Sequence, residues 1–111
     1  GRRPKLLAVT VLTSLTPEDV IREVCEYFDI TRDTIFSDSR SRPTVAARHI
    51  AIYLCNKYIK NLSLGELALV FKNSRPAILY AGNRIARAVK ANDPTIKPAV
   101  TKLIGLIEAK Y

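Results

Sequence analysis

The stretch from Ser63 to Ala91 constrains the fold of this chain more than any other part of the sequence. Ser63-Leu64-Gly65-Glu66 matches a capping box, in which the serine and glutamate side chains accept hydrogen bonds from backbone amides at a helix start. A second start follows at Ser74-Arg75-Pro76, because serine is a favoured cap and proline fits the first helical turn. Lys72-Asn73 leaves only a tight connection between them. A short helix, a tight turn and a longer helix predict a helix-turn-helix.

The first part of the chain divides into an arm and a helix. Residues 1–15 combine a basic cluster with an apolar run from Leu6 to Leu12. The run contains β-branched residues, but nothing supplies a partner strand, so we interpret residues 1–15 as an arm or linker. Thr16-Pro17-Glu18-Asp19 then provides a cap, a proline and first-turn acids. A helix is expected from there to about Phe28, and residues 16–111 form the folded domain.

Three more helices are predicted around the helix pair. Residues 31–36 favour a short helix, and residues 45–58, capped by Thr44, give an apolar stripe typical of a central core helix. Asp93-Pro94 starts a last helix, whose apolar side runs from Ile96 to Ile107. The sequence therefore predicts an all-α, compact helical domain of about six helices with a helix-turn-helix.

The charge of the chain is positive and unevenly distributed. It carries 18 Lys and Arg against 10 Asp and Glu, a formal net charge of +8. Residues 1–36 are slightly acidic, whereas residues 37–60 and residues 61–90 are both strongly basic. Such an excess indicates a polyanionic partner, either nucleic acid or an acidic membrane surface. No helix pairs the charge with an exposed apolar face, so double-stranded DNA is the expected partner and a membrane is not.

The sequence lacks the residue patterns typical of metal sites, redox sites and enzyme active sites. Cys25 and Cys55 have the spacing of neither a zinc site nor a redox motif, and we interpret both as reduced core thiols. No Gly-rich phosphate loop and no Ser/His/Asp or paired-carboxylate arrangement is present, so no enzyme, cofactor, metal or small-molecule substrate is expected. The longest apolar run is too short to cross a bilayer and no cleavage site follows it, which favours a cytoplasmic protein.

A basic loop precedes the central helix and contains candidate phosphate contacts. Arg40 and Arg42 lie in the polar loop at residues 37–43, and Arg48 follows just after it. Such guanidinium groups supply affinity and register on DNA, and Arg42 is the first candidate for entering a narrow minor groove. The alternative is a solvated charged loop. The neighbouring helix-turn-helix favours the DNA interpretation.

The start of the second helix of the pair is expected to enter the major groove. There Arg75 can contact a guanine edge and Asn73 an adenine edge, each contact being worth about 1–3 kcal/mol of discrimination. Ser74 also caps the helix, which holds with or without DNA. The candidate DNA-binding residues are Arg40, Arg42, Arg48, Lys72, Asn73, Ser74, Arg75, Ala77 and Arg84, and Arg87 and Lys90 extend the basic face.

Two further residues carry smaller expectations. His49 follows Arg48, and we interpret it as a polar helix residue able to donate to a phosphate, without a catalytic role. Gly82 lies inside the second helix of the pair, where glycine costs about 1 kcal/mol relative to alanine. Gly82 is therefore expected to mark close packing.

Several of these segments resemble one family. Ser39-Arg40-Ser41-Arg42 and the run from Ala47 to Leu54 resemble the basic loop and the Arg-Gln-Ile-Ala-Met-Tyr-Leu run of the carboxy-terminal DNA-binding domain, domain IV, of the bacterial DnaA chromosomal replication initiators. The similarity begins at Val20 and covers about 90 residues. It implies a Trp-repressor/DnaA domain IV-like fold, with phosphate and minor-groove contacts for Arg40 and Arg42 and a family arginine at Arg48.

The recognition segment departs from that family. The family shows Gly-Arg-Asp-His-Thr-Thr-Val, where this chain has Lys72-Asn73-Ser74-Arg75-Pro76-Ala77-Ile78. Pro76 and Ala77 lack the hydroxyl groups of the two threonines, so we expect a sequence-specific target that differs from the standard DnaA box. A transcription regulator, slightly preferred, or a diverged initiator would use such a domain. The alternative is a protein-interaction domain that has lost DNA binding and docks a partner through the N-terminal arm.

Overall fold

Six α-helices make up the computed structural model, which describes residues 15–111. The predicted arm lies, up to residue 14, outside the described residues. None of the helices in residues 15–111 is long and apolar enough to span a membrane. The helices are α1 Pro17–Phe28, α2 Arg32–Ile35, α3 Arg42–Tyr58, α4 Leu64–Val70, α5 Arg75–Lys90 and α6 Ile96–Lys110. The prediction of an all-α domain of about six helices is confirmed.

Helix α3 is the centre of the domain, and it packs against α1, α2, α5 and α6. Its side chains Ile50, Leu54 and Tyr58 are fully buried, as the periodic stripe predicted. Cys25 and Cys55 are unpaired and buried in the same core. Burial raises the pKa of the Cys55 thiol to about 12, so this thiol stays protonated at neutral pH.

Local capping signals place most of the helix starts. Thr16 and Ser63 each complete a capping box, and Ser74 accepts a hydrogen bond from the amide of Ala77. Helix α3 begins at Arg42, three residues before the predicted start, because Ser41 caps it. The predicted Thr44 cap is wrong, since Thr44 is buried within the helix. Pro43 does not end a loop but occupies the first turn, where a missing amide proton costs nothing.

The connection between α4 and α5 is a tight turn closed by backbone hydrogen bonds. The amide of Lys72 donates to the carbonyl of Leu69, and the amide of Asn73 donates to the carbonyl of Ala68 at 3.0 Å. This is the Schellman arrangement, which requires a left-handed residue after the helix end. Lys72 takes that role with φ of 54°. A lysine therefore occupies a conformation that glycine adopts without strain.

Helix α6 is joined to α1 through a buried carboxylate. Glu23 is only 2% exposed, and Lys110 Nζ lies 3.1 and 3.0 Å from its two oxygens. The Tyr111 hydroxyl donates to the same carboxylate at 3.2 Å. The bond to Glu23 raises the pKa of Lys110. These contacts satisfy a charge that would otherwise be costly to bury and hold the last helix on the first.

The expectation that Gly82 marks close packing is wrong. A Cβ atom at position 82 would meet nothing within 4 Å, because this position of α5 faces open space. The close approach lies elsewhere, at Gly65 on α4, where a Cβ would come within 2.9 Å of Arg75.

The left-handed residue in the turn generates a stability prediction. We expect Lys72→Gly to raise the free energy of unfolding by up to about 1 kcal/mol, because glycine relieves the Cβ strain at positive φ. Urea unfolding of the two proteins measures the difference. Lys72→Ala is the matched control, since it removes the same charge but keeps a Cβ, and it should give no gain. Equal gains from both substitutions would show that the charge, not the backbone, is responsible.

Candidate nucleic-acid interface

The basic loop, residues 37–41 between α2 and α3, is ordered by alternating serines. The Ser37 hydroxyl donates to the carbonyl of Thr34 at 2.7 Å and accepts from the amide of Ser39 at 3.1 Å. The Ser39 hydroxyl in turn accepts from the amide of Ser41 at 3.3 Å, and Ser41 caps α3. These bonds fix the backbone on both sides of Arg40, whose side chain is exposed.

Arg48 holds the basic loop from the side of the core. Its Nε donates to the carbonyl of Ile35 at 2.8 Å, and its Nη2 lies 3.0 Å from the carbonyl oxygen of Ser37 and 3.4 Å from that of Ser39. The side chain is half-buried. Its observed contacts therefore act on the loop that carries Arg40. A direct DNA contact by Arg48 stays a prediction.

Arg40 and Arg42 have exposed side chains without partners. Neither forms a hydrogen bond or an ion pair with any residue in the range 15–111. Arg42 belongs to the first turn of α3 and not to the loop, so its backbone is held by helical hydrogen bonds. Both guanidinium groups keep all of their donors for a ligand.

A groove separates the basic loop from the turn between α4 and α5. Arg40, Arg48, Lys72 and Asn73 all line it. Phe36 also lines it, and the Lys72 ammonium lies 6.0 Å from the centre of that ring. The structure thus brings together four predicted site residues that are separated in sequence by up to 33 positions.

The start of α5 supplies the next part of the surface. The Asn73 Oδ1 accepts a hydrogen bond from the amide of Ser74 at 2.9 Å, and the Ser74 hydroxyl is used in capping. Arg75 is exposed and forms no hydrogen bond or ion pair within the described residues. Ala77 is half-buried one turn into the helix. Arg75 is therefore the side chain of this segment with the most unused donors.

Arg84 lies apart from this segment, at the contact of α3 with α5. Its Nη1 lies 3.0 Å from Nδ1 of His49, and the Tyr80 ring packs edge-on against the imidazole. A guanidinium cannot accept a hydrogen bond, so Nδ1 accepts and His49 is neutral. Burial, with help from Arg84 and Arg48, lowers the pKa of His49 to about 4. His49 thus orients Arg84, whereas Arg87 and Lys90 remain exposed on α5.

The bonds of Arg48 generate a prediction about stability. We expect Arg48→Ala to lower the free energy of unfolding by about 1–3 kcal/mol, because it removes the donors to the carbonyls of Ile35, Ser37 and Ser39. Urea unfolding measures the change. Arg87→Ala is the control, since it removes the same charge from an exposed position, and its effect should stay within about 0.5 kcal/mol. Equally small losses in both variants would contradict a role for Arg48 in holding the loop.

The neutral imidazole generates a prediction about pH. Folding lowers the pKa of His49 from 6.5 to about 4, so the folded state binds fewer protons than the unfolded state between these values. Stability from this group is present above pH 6.5 and is lost as the pH falls through that window. We expect the Tm of wild type to fall between pH 7.5 and 5 more than that of His49→Gln, which keeps an acceptor but does not titrate. Parallel declines in the two proteins would contradict this assignment.

Comparisons with known proteins agree on one family. The model of the bacterial DnaA protein helix-turn-helix matches residues 17–85, from α1 into α5. The chromosomal replication initiator protein DnaA of Leifsonia xyli subsp. xyli is 33% identical over 98 residues, covering 87% of this chain and 20% of that protein. The protein of the same name from Cutibacterium acnes is 32% identical over 96 residues, covering 86% and 19%.

A third initiator, from Mycoplasma genitalium, is 29% identical over 92 residues, covering 82% of this chain and 20% of that protein. The chain thus spans about a fifth of the length of the relatives it matches. The matched region contains the basic loop, the whole of α3 and α4, and the turn into α5. Because the family model covers more than half of the sequence, the chain belongs to the bacterial DnaA protein helix-turn-helix family.

Proposed function

We propose that this domain binds double-stranded DNA through the basic loop and the first turn of α5. Membership of a helix-turn-helix family supports DNA binding, since this motif places its second helix in the major groove. The proposal rests on which arginines have a hydrogen-bond or salt-bridge partner and which have none. Arg22 and Arg32 on the α1 and α2 side form salt bridges with Asp19 and Glu18. Arg40, Arg42 and Arg75, by contrast, have no partner among residues 15–111.

The unpaired arginines divide the work of binding. Arg40 and Arg42, on the loop and at the first turn of α3, contact phosphates and the minor groove, which gives affinity without sequence information. Arg75, at the first turn of α5, contacts a guanine edge in the major groove. Lys72 adds a cation in the groove between these two parts.

The remaining candidate residues have supporting roles. Arg48 holds the basic loop, and Ser74 and Asn73 fix the start of α5 through their hydrogen bonds. Ala77 offers a methyl group, which suits contact with a thymine methyl. Arg84 is oriented by its hydrogen bond to His49 at the contact of α3 with α5. This assignment keeps all nine predicted residues in the interface but gives direct base contacts only to some of them.

The target sequence differs from the standard DnaA box in this proposal. Pro76 is exposed and Ala77 is half-buried, and neither side chain has a hydrogen-bond donor or acceptor. The threonine hydroxyls of the related family have no counterpart here. Discrimination therefore depends on Arg75 and on apolar contacts of the first two turns of α5.

The role of the full-length protein that best fits the comparisons is the initiation of chromosomal replication. The relatives are named chromosomal replication initiators, and we propose that this domain is the DNA-binding part of a diverged initiator acting on chromosomal DNA in the cytoplasm. A transcription regulator that reuses the domain stays a prediction from the altered recognition segment alone.

A protein-interaction domain is the second candidate function. Large apolar side chains are exposed on α4 and α5, namely Leu69 at 80%, Leu79 at 55% and Tyr80 at 58%. Loss of DNA binding would leave them as a protein-docking surface, together with the arm. The unpaired Arg40, Arg42 and Arg75 favour DNA, because a surface that had given up a polyanion has no electrostatic reason to keep them.

Fluorescence anisotropy of residues 1–111 against labelled duplexes tests the proposal. We expect binding to random-sequence DNA to weaken steeply with salt, and a pool selection to recover a consensus other than the DnaA box. Tightest binding to the DnaA box would contradict the altered target. Failure to bind any duplex at low salt would reject DNA binding and favour the protein-interaction alternative.

Two substitutions test the division of work. Arg42→Ala should weaken binding to all duplexes alike and reduce the slope of log Kd against log salt by about 1. Arg75→Ala should instead lower discrimination at one G·C pair, by about 1–3 kcal/mol. Lys102→Ala, which removes a charge from α6, is the control. Identical effects of the two arginine substitutions on every duplex would contradict the division.

A further inference from the structure

The guanidinium of Arg75 packs against the backbone of α4 at Gly65. A Cβ atom at position 65 would lie 2.9 Å from Nη2 of Arg75, 3.3 Å from Nε and 3.4 Å from Cζ. These three atoms lie along the guanidinium group, which therefore occupies the space that a side chain at position 65 would fill. Gly82 and Gly105, the other helical glycines of the described residues, have nothing within 4 Å of an added Cβ.

The turn between the two helices brings these residues together. Arg75 is the first residue of α5, and side chains on a helix lean toward its N-terminus, here toward α4. Gly65 is the second residue of α4 and lines the same groove as Asn73 and Ser74. The left-handed residue at Lys72 sets the direction in which α5 leaves α4. The contact thus follows from the turn and from the absence of a side chain at position 65.

The packing places the guanidinium without consuming its donors. Arg75 forms no hydrogen bond or ion pair with any residue from 15 to 111. Glu66, the acid of the same helix turn, instead accepts a hydrogen bond from the amide of Ser63 at 2.9 Å. All five N–H donors of Arg75 are therefore available to a ligand. Restricting a flexible side chain before binding lowers the entropy lost on association.

We propose that Gly65 is a specificity-determining positioning residue for DNA recognition. The missing side chain allows α4 to hold the Arg75 guanidinium at the position from which it contacts a base edge. Gly65 acts only through Arg75. The proposal rests on the proposed function, in which Arg75 faces the major groove.

Gly65→Ala separates this role from folding. The added methyl group would meet only the far end of a flexible side chain, so the guanidinium moves and the backbone does not. Alanine is also a better helix former than glycine. The variant should therefore fold with an unchanged or higher Tm while Arg75 loses its fixed position.

The experiment uses the duplex recovered from a random pool by the wild-type chain, together with duplexes in which each G·C pair is changed to A·T in turn. Kd is measured for wild type, Gly65→Ala, Arg75→Ala and the double variant, and Tm is measured for each. Gly105→Ala on α6 is the matched control, because it adds the same methyl group in open space.

We expect Arg75→Ala to reduce discrimination at one G·C pair by roughly tenfold or more. Gly65→Ala should reduce discrimination at that same pair, by about three- to tenfold, with no loss of Tm. The double variant should match Arg75→Ala alone, since Gly65 has no effect once the guanidinium is absent. Gly105→Ala should leave every ratio unchanged.

Several results would overturn the inference. The inference is rejected if Gly65→Ala discriminates between duplexes as well as wild type, or if the losses of the two single variants multiply in the double variant. It is also rejected if the pool gives no consensus, or if Arg75→Ala changes discrimination at no base pair. In all these cases salt-dependent duplex binding persists. Failure of the proposed function is a different result, namely no binding of any duplex by wild type.

Discussion

The contact of the Arg48 guanidinium with three backbone carbonyls is the interaction on which the candidate interface depends. Arg48 belongs to α3, the helix around which the core is built, and its partners Ile35, Ser37 and Ser39 belong to the end of α2 and the basic loop. These hydrogen bonds fix the basic loop to the core. The same α3 packs on α5, so one helix fixes the positions of both the basic loop and α5.

The charged side chains separate into those used in folding and those left for a ligand. On the α1 side, Arg22, Arg32 and Lys110 all have carboxylate partners. Around the basic loop and α5 the hydrogen bonds are made by serines, Arg48 and His49, and Arg40, Arg42, Arg75 and Arg87 are unpaired within residues 15–111. The serines and Arg48 therefore order the candidate interface, and its exposed guanidinium groups keep their donors for a ligand.

Much of the fold was predictable because its signals are local. The capping boxes at Thr16 and Ser63 and the cap at Ser74 specify helix starts within four residues. The start of α3 was predicted wrongly because Ser41 and Thr44 are both good caps, and the burial of Thr44, a tertiary effect, decides between them. Tertiary packing also explains the error about the glycines. Close packing was expected at Gly82 and is found at Gly65, because the packing of the helices determines which side chain lies next to each glycine. The partners of Arg48 and the contact of His49 with Arg84 likewise join residues distant in sequence.

The left-handed turn at Lys72 has a consequence for how the domain can change its target. The backbone bonds of this turn, with the cap at Ser74, fix the direction of α5 relative to α4. Adaptation to a new site must then proceed by exchanging side chains on a fixed frame. The exposed residues Arg75 and Pro76, in the first turn of α5, are positions where a side chain can be exchanged without altering that frame.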